Sequence, residues 1–202
     1  LVDGIDVASA GELKVALDAG TDPREISFAG PGKREAELRQ AVAACILINI
    51  ESFREVELLG AISREMALPA RIAVRVNPDF ELKGSGMKMG GGPKQFGVDA
   101  ELVPELLALI GNKGLDFEGF HLFAGSQNLK AESICEAQQK SYELALKLAA
   151  QTDLLLQYTN ARDKRLTDFG IPALNGRPVN VPARTYYGSS NAAQDDTTTS
   201  AM

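Results

Sequence analysis

"IDVASAGELKVALDAGTDPREISFAG", residues 5–30, sets the fold. It opens on a short β-branched run, "IDVAS" at 5–9, and closes on a second, "ISFAG" at 26–30. Between them Ser9-Ala10-Gly11-Glu12 has the form of a capping box, in which the Ser9 hydroxyl takes the N3 amide and the Glu12 carboxylate reaches back to the cap. Strand starts roughly 20 residues apart leave room for a strand, a helix of about three turns and two short loops. A crossover helix of that length joins parallel strands, because antiparallel neighbours need only a hairpin.

The same unit recurs downstream. "ILINI" at 46–50 runs into a second capping box, Ser52-Phe53-Arg54-Glu55, and "IAVRVN" at 72–77 and "GFHLFAGS" at 119–126 continue the strand series. "LLLQYT" at 154–159 is a candidate sixth strand. Leu102, Leu106 and Ile110 share a helical face behind Pro104, which is tolerated in a first turn, and Ile134, Ala137, Ser141, Ala145 and Leu148 recur at helical spacing. Two parallel folds compete for this pattern. An open doubly wound sheet that binds a dinucleotide places G-x-G-x-x-G after its first strand, and no strand exit here has it. A (β/α)8 barrel instead gathers polar residues from many strand ends, and Asp6, Ser9, Gly30, Lys33, Asn49, Glu51, Arg75, Asn77, Ser126 and Gln127 lie at such positions. The sequence therefore predicts an α/β chain forming a partial barrel of about five to six βα units over residues 1–172. Residues 173–202 lose periodicity and end in a threonine-rich run, which predicts a disordered or loosely attached tail.

Composition narrows the function. Of 202 residues, 21 are Lys or Arg and 27 are Asp or Glu, giving a formal net charge of -6, and no basic stripe suits nucleic acid. One histidine and two distant cysteines, Cys45 and Cys135, cannot supply a recognisable metal spacing, and both thiols are expected to be buried and reduced. With no 18-residue apolar run and no signal-peptide pattern, the expectation is a soluble cytoplasmic protein without membrane or nucleic-acid partners. The chain begins on Leu1 and runs straight into strand-like sequence, so a piece of a longer fold is expected.

Three stretches bear on chemistry. Gly84–Pro93, "GSGMKMGGGP", lacks the Gly-Lys-Ser/Thr ending of a P-loop and reads either as a flexible βα loop or as a mobile cover, with Lys83, Lys88 and Lys94 bringing positive charge. Arg75 alternates onto one face with Ala73 and Asn77, so its guanidinium points into the barrel, toward an anionic ligand or a structural ion pair. His121, Phe123 and Gly125 alternate likewise; the histidine is either a satisfied core ring or a catalyst, and Ser126 falls at the strand exit, where a hydroxyl and free amides can hold phosphate.

Taken in order, "DVASAGEL", "FAGPGK", "VRVNP", "KQFG" and "HLFAGSQ" resemble the pyridoxal-phosphate barrel of the ornithine and diaminopimelate decarboxylase family, which has the alanine-racemase-like fold. "NPDFELKGSGMKMGGGPKQFGVD" and "GFHLFAGSQNL" are similar to the exosortase-associated pyridoxal-dependent decarboxylases. The resemblance covers about residues 3 to 150. It implies pyridoxal 5'-phosphate as cofactor, an amino-acid substrate and a homodimer at full length. Asp6 matches the acidic position beside the cofactor, Arg75 the arginine reaching it, and Gly125 with Ser126 the Gly-Ser motif near its phosphate. Where the family has a histidine stacked on the pyridine ring this chain has Phe123, which can stack but cannot ionise. That places His121 one layer below the ring, in the barrel packing. The Schiff-base lysine belongs on a strand before Leu1, and the carboxylate for the ring nitrogen on a later strand that is not recognisable. The nearest counterpart of the family's glycine-rich phosphate loop is Leu166–Pro172, which keeps Gly170 but places Asp168 where it would repel phosphate. The resulting expectation is a fragment of a pyridoxal-phosphate-dependent decarboxylase, inactive as an isolated chain. A non-catalytic cofactor- or phosphate-metabolite-binding barrel remnant, or a different phosphate-handling barrel enzyme, are the alternatives.

Overall fold

A computed structural model of the chain describes residues 4–80, 87–88, 95–123, 125–126, 130–151 and 183–185. The predicted βα repeat is present. β1 (Ile5–Val7), α1 (Ala10–Asp18), β2 (Ile26–Phe28), α2 (Glu35–Ala43), β3 (Leu47–Ile50), α3 (Phe53–Met66) and β4 (Arg71–Asn77) follow one another without interruption except for one 3-10 turn before β2. Two-residue strands β5 (Met87–Lys88) and β6 (Val98–Asp99) precede α4 (Val103–Lys113), and β7 (Asp116–Leu122), β8 (Gly125–Ser126), α5 (Ala131–Ala150) and β9 (Ala183–Thr185) complete the described elements.

The sheet order is β1-β2-β3-β4-β7-β9, with β6 also paired to β4, and every pair within it is parallel. Strand order that rises with chain order, without the reversal that defines a doubly wound sheet, is the winding of a (β/α) barrel. One face of this sheet is apolar: Val7, Ile26, Phe28, Ile46, Ile48, Ile50, Ile72, Val74, Val76, Phe120 and Leu122 are all nearly inaccessible. Helix residues Leu13, Leu38, Leu59, Ile62, Leu106, Ile110 and Leu148 close onto the same core. Each large aliphatic side chain removed from water there contributes about 1.5–3 kcal/mol. A bulge in β7 shifts the register between Ile72 and Ala73, so that Phe117 and Phe120 both join the apolar side and meet edge to face with centroids 5.4 Å apart.

Both predicted capping boxes form, with one difference in wiring. Ser9 and Ser52 accept the amides of Glu12 and Glu55, but each glutamate carboxylate takes the amide of the residue before the cap, Ala8 and Glu51 respectively. The extended cap residues, near φ -160°, turn that earlier amide toward the first helical turn. Replacing Ser52 with Ala removes the acceptor for the Glu55 amide. Urea unfolding should show a loss of about 1 kcal/mol, and a change near zero would mean that the Glu55 carboxylate holds the turn by itself.

Two expectations need correction. Cys45 and Cys135 are exposed, not buried. Cys45 sits in a left-handed turn (φ 55°) just past α2, and Cys135 lies on the outer side of α5, so their apolar neighbours in sequence point elsewhere. Leu102 is in the 3-10 turn before α4 and is exposed, and Val103 takes its place against the core. Within 173–202, Ala183–Thr185 forms a strand parallel to β7; the candidate strand at 154–159 and the remaining residues of 173–202 lie outside the described residues. Within the glycine-rich stretch, Met87–Lys88 forms β5, which pairs antiparallel with β8 (Met87 opposite Ser126, Lys88 opposite Gly125); the rest of Gly84–Pro93 lies outside the described residues. Among the described residues no helix is long and apolar enough to cross a membrane.

Candidate cofactor site

Strand alternation decides what the second face of the sheet carries. The register sets Asp6 beside Ser27, Ser27 beside Leu47, Asn49 beside Ala73 and Arg75 beside His121. With Asn77, these residues occupy the face opposite the aliphatic core. Ser27, Asn49, Arg75, Asn77 and His121 are all buried there. A parallel sheet with a helix-covered apolar side and a polar inner side is how a barrel builds a site.

The loops above this face are tied together by buried charge. Glu51 Oε1 accepts the Gly30 amide at 2.6 Å and the Arg75 guanidinium at 3.2 Å, while Oε2 accepts the Gly97 amide at 3.1 Å. Lys33 Nζ lies 2.9 Å from Glu55 Oε1 and donates to the Gly30 carbonyl, and Glu55 Oε2 accepts the Glu51 amide at 2.7 Å. Burial raises the Glu55 carboxyl above its ordinary range, and the Lys33 ammonium opposes that rise. The Arg75 guanidinium carbon stands 4.7 Å from the Phe96 ring centroid and 5.9 Å from that of Phe123, within cation–π range. Asn77 Nδ2 donates to Asp99 Oδ1 at 2.6 Å. Burial, then the charges of Arg75 and Lys33, lower His121 to about 4, so it is a neutral ring at physiological pH.

The sequence-predicted residues are distributed as follows. Asp6 shares the inner face, is exposed, and accepts a hydrogen bond from the Ser27 hydroxyl. Arg75 and Phe123 come together, and Arg75 has a structural ion pair with Glu51, one of its two open alternatives. Gly125 and Ser126 form β8 just beyond them. Gly170 lies outside the described residues. Sequence reading placed Lys33 and Glu51 at strand ends without a role, and missed Glu55 and Phe96 as contributors. Glu55 was hidden by its capping role. Phe96 stood next to Gly97 in "KQFG", and that glycine has a reason: at φ 75° an added Cβ would lie 2.9 Å from the Arg75 carbonyl oxygen.

The profile described as "Pyridoxal-dependent decarboxylase, pyridoxal binding domain" matches residues 3–157. The chain belongs to this family. Among curated pyridoxal-dependent decarboxylases, it is 39% identical over 158 residues to diaminopimelate decarboxylase of Campylobacter jejuni, covering 76% of this chain and 39% of the relative. It is 33% identical over 171 residues to L-glutamyl-[BtrI acyl-carrier protein] decarboxylase of Niallia circulans, covering 84% of this chain and 39% of the relative. The crystal structure of diaminopimelate decarboxylase from Helicobacter pylori complexed with L-lysine superposes with a TM-score of 0.64 at 36% identity, over 73% of this chain and 38% of that one. The chain thus spans about two fifths of the length of the decarboxylases it matches, and the match confirms the barrel that the strand order indicated. Pyridoxal phosphate is the cofactor of the family.

Proposed function

We propose that the chain is the cofactor-binding portion of a pyridoxal-phosphate-dependent decarboxylase acting on an amino-acid substrate, with the whole protein a homodimer. The observation that carries this reading is the juxtaposition of Arg75, Phe96 and Phe123 on the inner, polar side of the sheet, at the strand ends where barrels place their chemistry. The donor set suits a flat, phosphorylated aromatic aldehyde. Asn49 Nδ2 is buried with no hydrogen-bond partner among the described residues, and a bound acceptor would satisfy it.

In this reading Phe123 offers a face on which the pyridine ring rests, and Arg75 supplies a fixed positive charge beside it. Gly125 and Ser126 follow at the strand exit, and backbone amides there suit phosphate oxygens. Asp6, exposed on β1, stands beside the cofactor. Neutral His121 supports Arg75 from the next strand without adding charge to the cavity. When bound, pyridoxal phosphate supplies an electron sink for the carbanion left as carbon dioxide departs. The residues named in this reading bind and orient.

The test is a titration of the purified 202-residue chain with pyridoxal 5'-phosphate, followed by the cofactor's absorbance and by quenching of protein fluorescence. Weak, saturable binding that Arg75→Met and Phe123→Ala each weaken is expected, with no release of carbon dioxide from any amino acid. Binding that neither substitution disturbs would remove this face from the cofactor site. Tighter binding of a sugar phosphate than of pyridoxal phosphate would favour a different phosphate-handling barrel.

A further inference from the structure

Arg75 is nine-tenths buried and has one ion-pair partner among the described residues, Glu51, whose own side chain is 1% exposed. Glu51 does more than neutralise it. Its two oxygens take three donors from two connections and a strand: the Gly30 amide after β2, the Gly97 amide before β6 and the Arg75 guanidinium on β4. The Gly97 backbone is itself pressed against the Arg75 backbone, since a Cβ there would lie 2.9 Å from the Arg75 carbonyl oxygen. One carboxylate therefore grips the head of Arg75 and the chain that crosses its base.

Only one of the five N–H donors of the guanidinium is bonded to Glu51, so the carboxylate orients the group without exhausting it. The Phe96 and Phe123 rings flank the same guanidinium and limit its swing. Glu51 is in turn fixed from below: its amide is held by Glu55, whose carboxylate is paired with Lys33. We infer that Glu51 is a positioning residue, holding the Arg75 guanidinium toward the cofactor site while keeping its remaining donors available. The inference rests on the proposed cofactor role of Arg75. Glutamine cannot replace it, because an amide offers one acceptor oxygen, and its NH2 group would have to face a backbone amide or the guanidinium. Aspartate keeps the charge but falls one methylene short of spanning the three donors.

The experiment reads Arg75 directly. In nuclear magnetic resonance spectra of the 202-residue chain, the two Nη groups of Arg75 should give separate signals, because the ion pair hinders rotation about the Nε–Cζ bond. In Glu51→Gln they should merge, while those of Arg71, held by Glu118 and the Cys45 carbonyl, stay unchanged as an internal control. Glu51→Asp should also merge them, which covers the case in which the glutamine variant does not fold. Affinity for pyridoxal 5'-phosphate should fall roughly tenfold in Glu51→Gln, and adding Glu51→Gln to Arg75→Met should cost nothing further. Unaltered Arg75 signals in both variants, or additive losses of affinity, would overturn the inference. If the wild-type chain binds no cofactor, the proposed function fails, and the guanidinium signals still decide whether Glu51 positions Arg75.

Discussion

Lys33→Met should destabilise the chain by about 3–5 kcal/mol, because it leaves a buried carboxylate without its cation. The Lys33 and Glu55 side chains are 1% and 6% exposed, with Nζ and Oε1 2.9 Å apart. Methionine fills most of the volume but neither neutralises Glu55 nor donates to the Gly30 carbonyl. Glu55 then escapes part of the penalty by taking up a proton, which burial already favours. The sign of the pH dependence follows. A carboxyl whose folded pKa lies above its unfolded value binds more protons when native, so stability falls as pH rises through that interval, and the deficit of Lys33→Met should grow from acid to neutral pH. A second substitution, Glu55→Gln, removes the stranded charge and keeps an acceptor for the Glu51 amide. The double variant should recover to within about 1 kcal/mol of wild type, since exchanging a buried pair for neutral groups is often close to even. Urea unfolding of the three variants at two pH values measures all of this. A single variant within about 1 kcal/mol of wild type would show that the pair does not hold these loops.

This pair also marks where reading the sequence stops. The βα repeat was legible because its signals are local: "ILINI" followed at once by Ser52 and Glu55 is strand and capping box within ten residues, and β3 and α3 form there. Faces were legible for the same reason, so Arg75 and His121 both fell on the inner side as alternation required. Partners were not. Lys33 and Glu55 leave different strands, and only the parallel register of β2 and β3 brings them together. Arg75 looked equally suited to a ligand or an ion pair, because the choice depended on where Glu51 would point. Cys45 was misread for a related reason: its neighbours Ala44 and Ile46 look like a core segment, but a left-handed turn at Cys45 swings its side chain outward. Two-residue strands such as β5 and β6 are too short to carry a period, and the pairing of β5 with β8 is fixed by tertiary contact alone.

Acidification should expose the second large effect, centred on His121. The ring is buried on β7, with Arg75 level with it on β4 and the Lys33 ammonium also acting on it. Burial and these two cations lower it from 6.5 to about 4, whereas Glu51 and Glu55 in the same cluster are each engaged by a cation of their own. Between those two values the unfolded chain binds a proton that the native chain refuses, so stability falls as pH drops from about 6.5 toward 4. At one pKa unit per about 1.4 kcal/mol, the full penalty is about 3 kcal/mol, of which about 2 kcal/mol should already be lost on going from near pH 7.5 to near pH 5. That interval lies above the titration of Asp22 and Glu37, both held at about 2 by hydrogen bonds from their neighbours Arg24 and Arg34. Glu55, with its raised carboxyl, works in the opposite direction, so the wild-type difference alone is not diagnostic. His121→Gln keeps a polar, uncharged side chain and removes the titration. Its loss over the same interval should be smaller than that of wild type by about 2 kcal/mol, with the steepest divergence roughly midway between the two pKa values, near pH 5. Equal losses in the two proteins would mean that His121 accepts a proton in place, and that the inner face can carry three positive charges side by side.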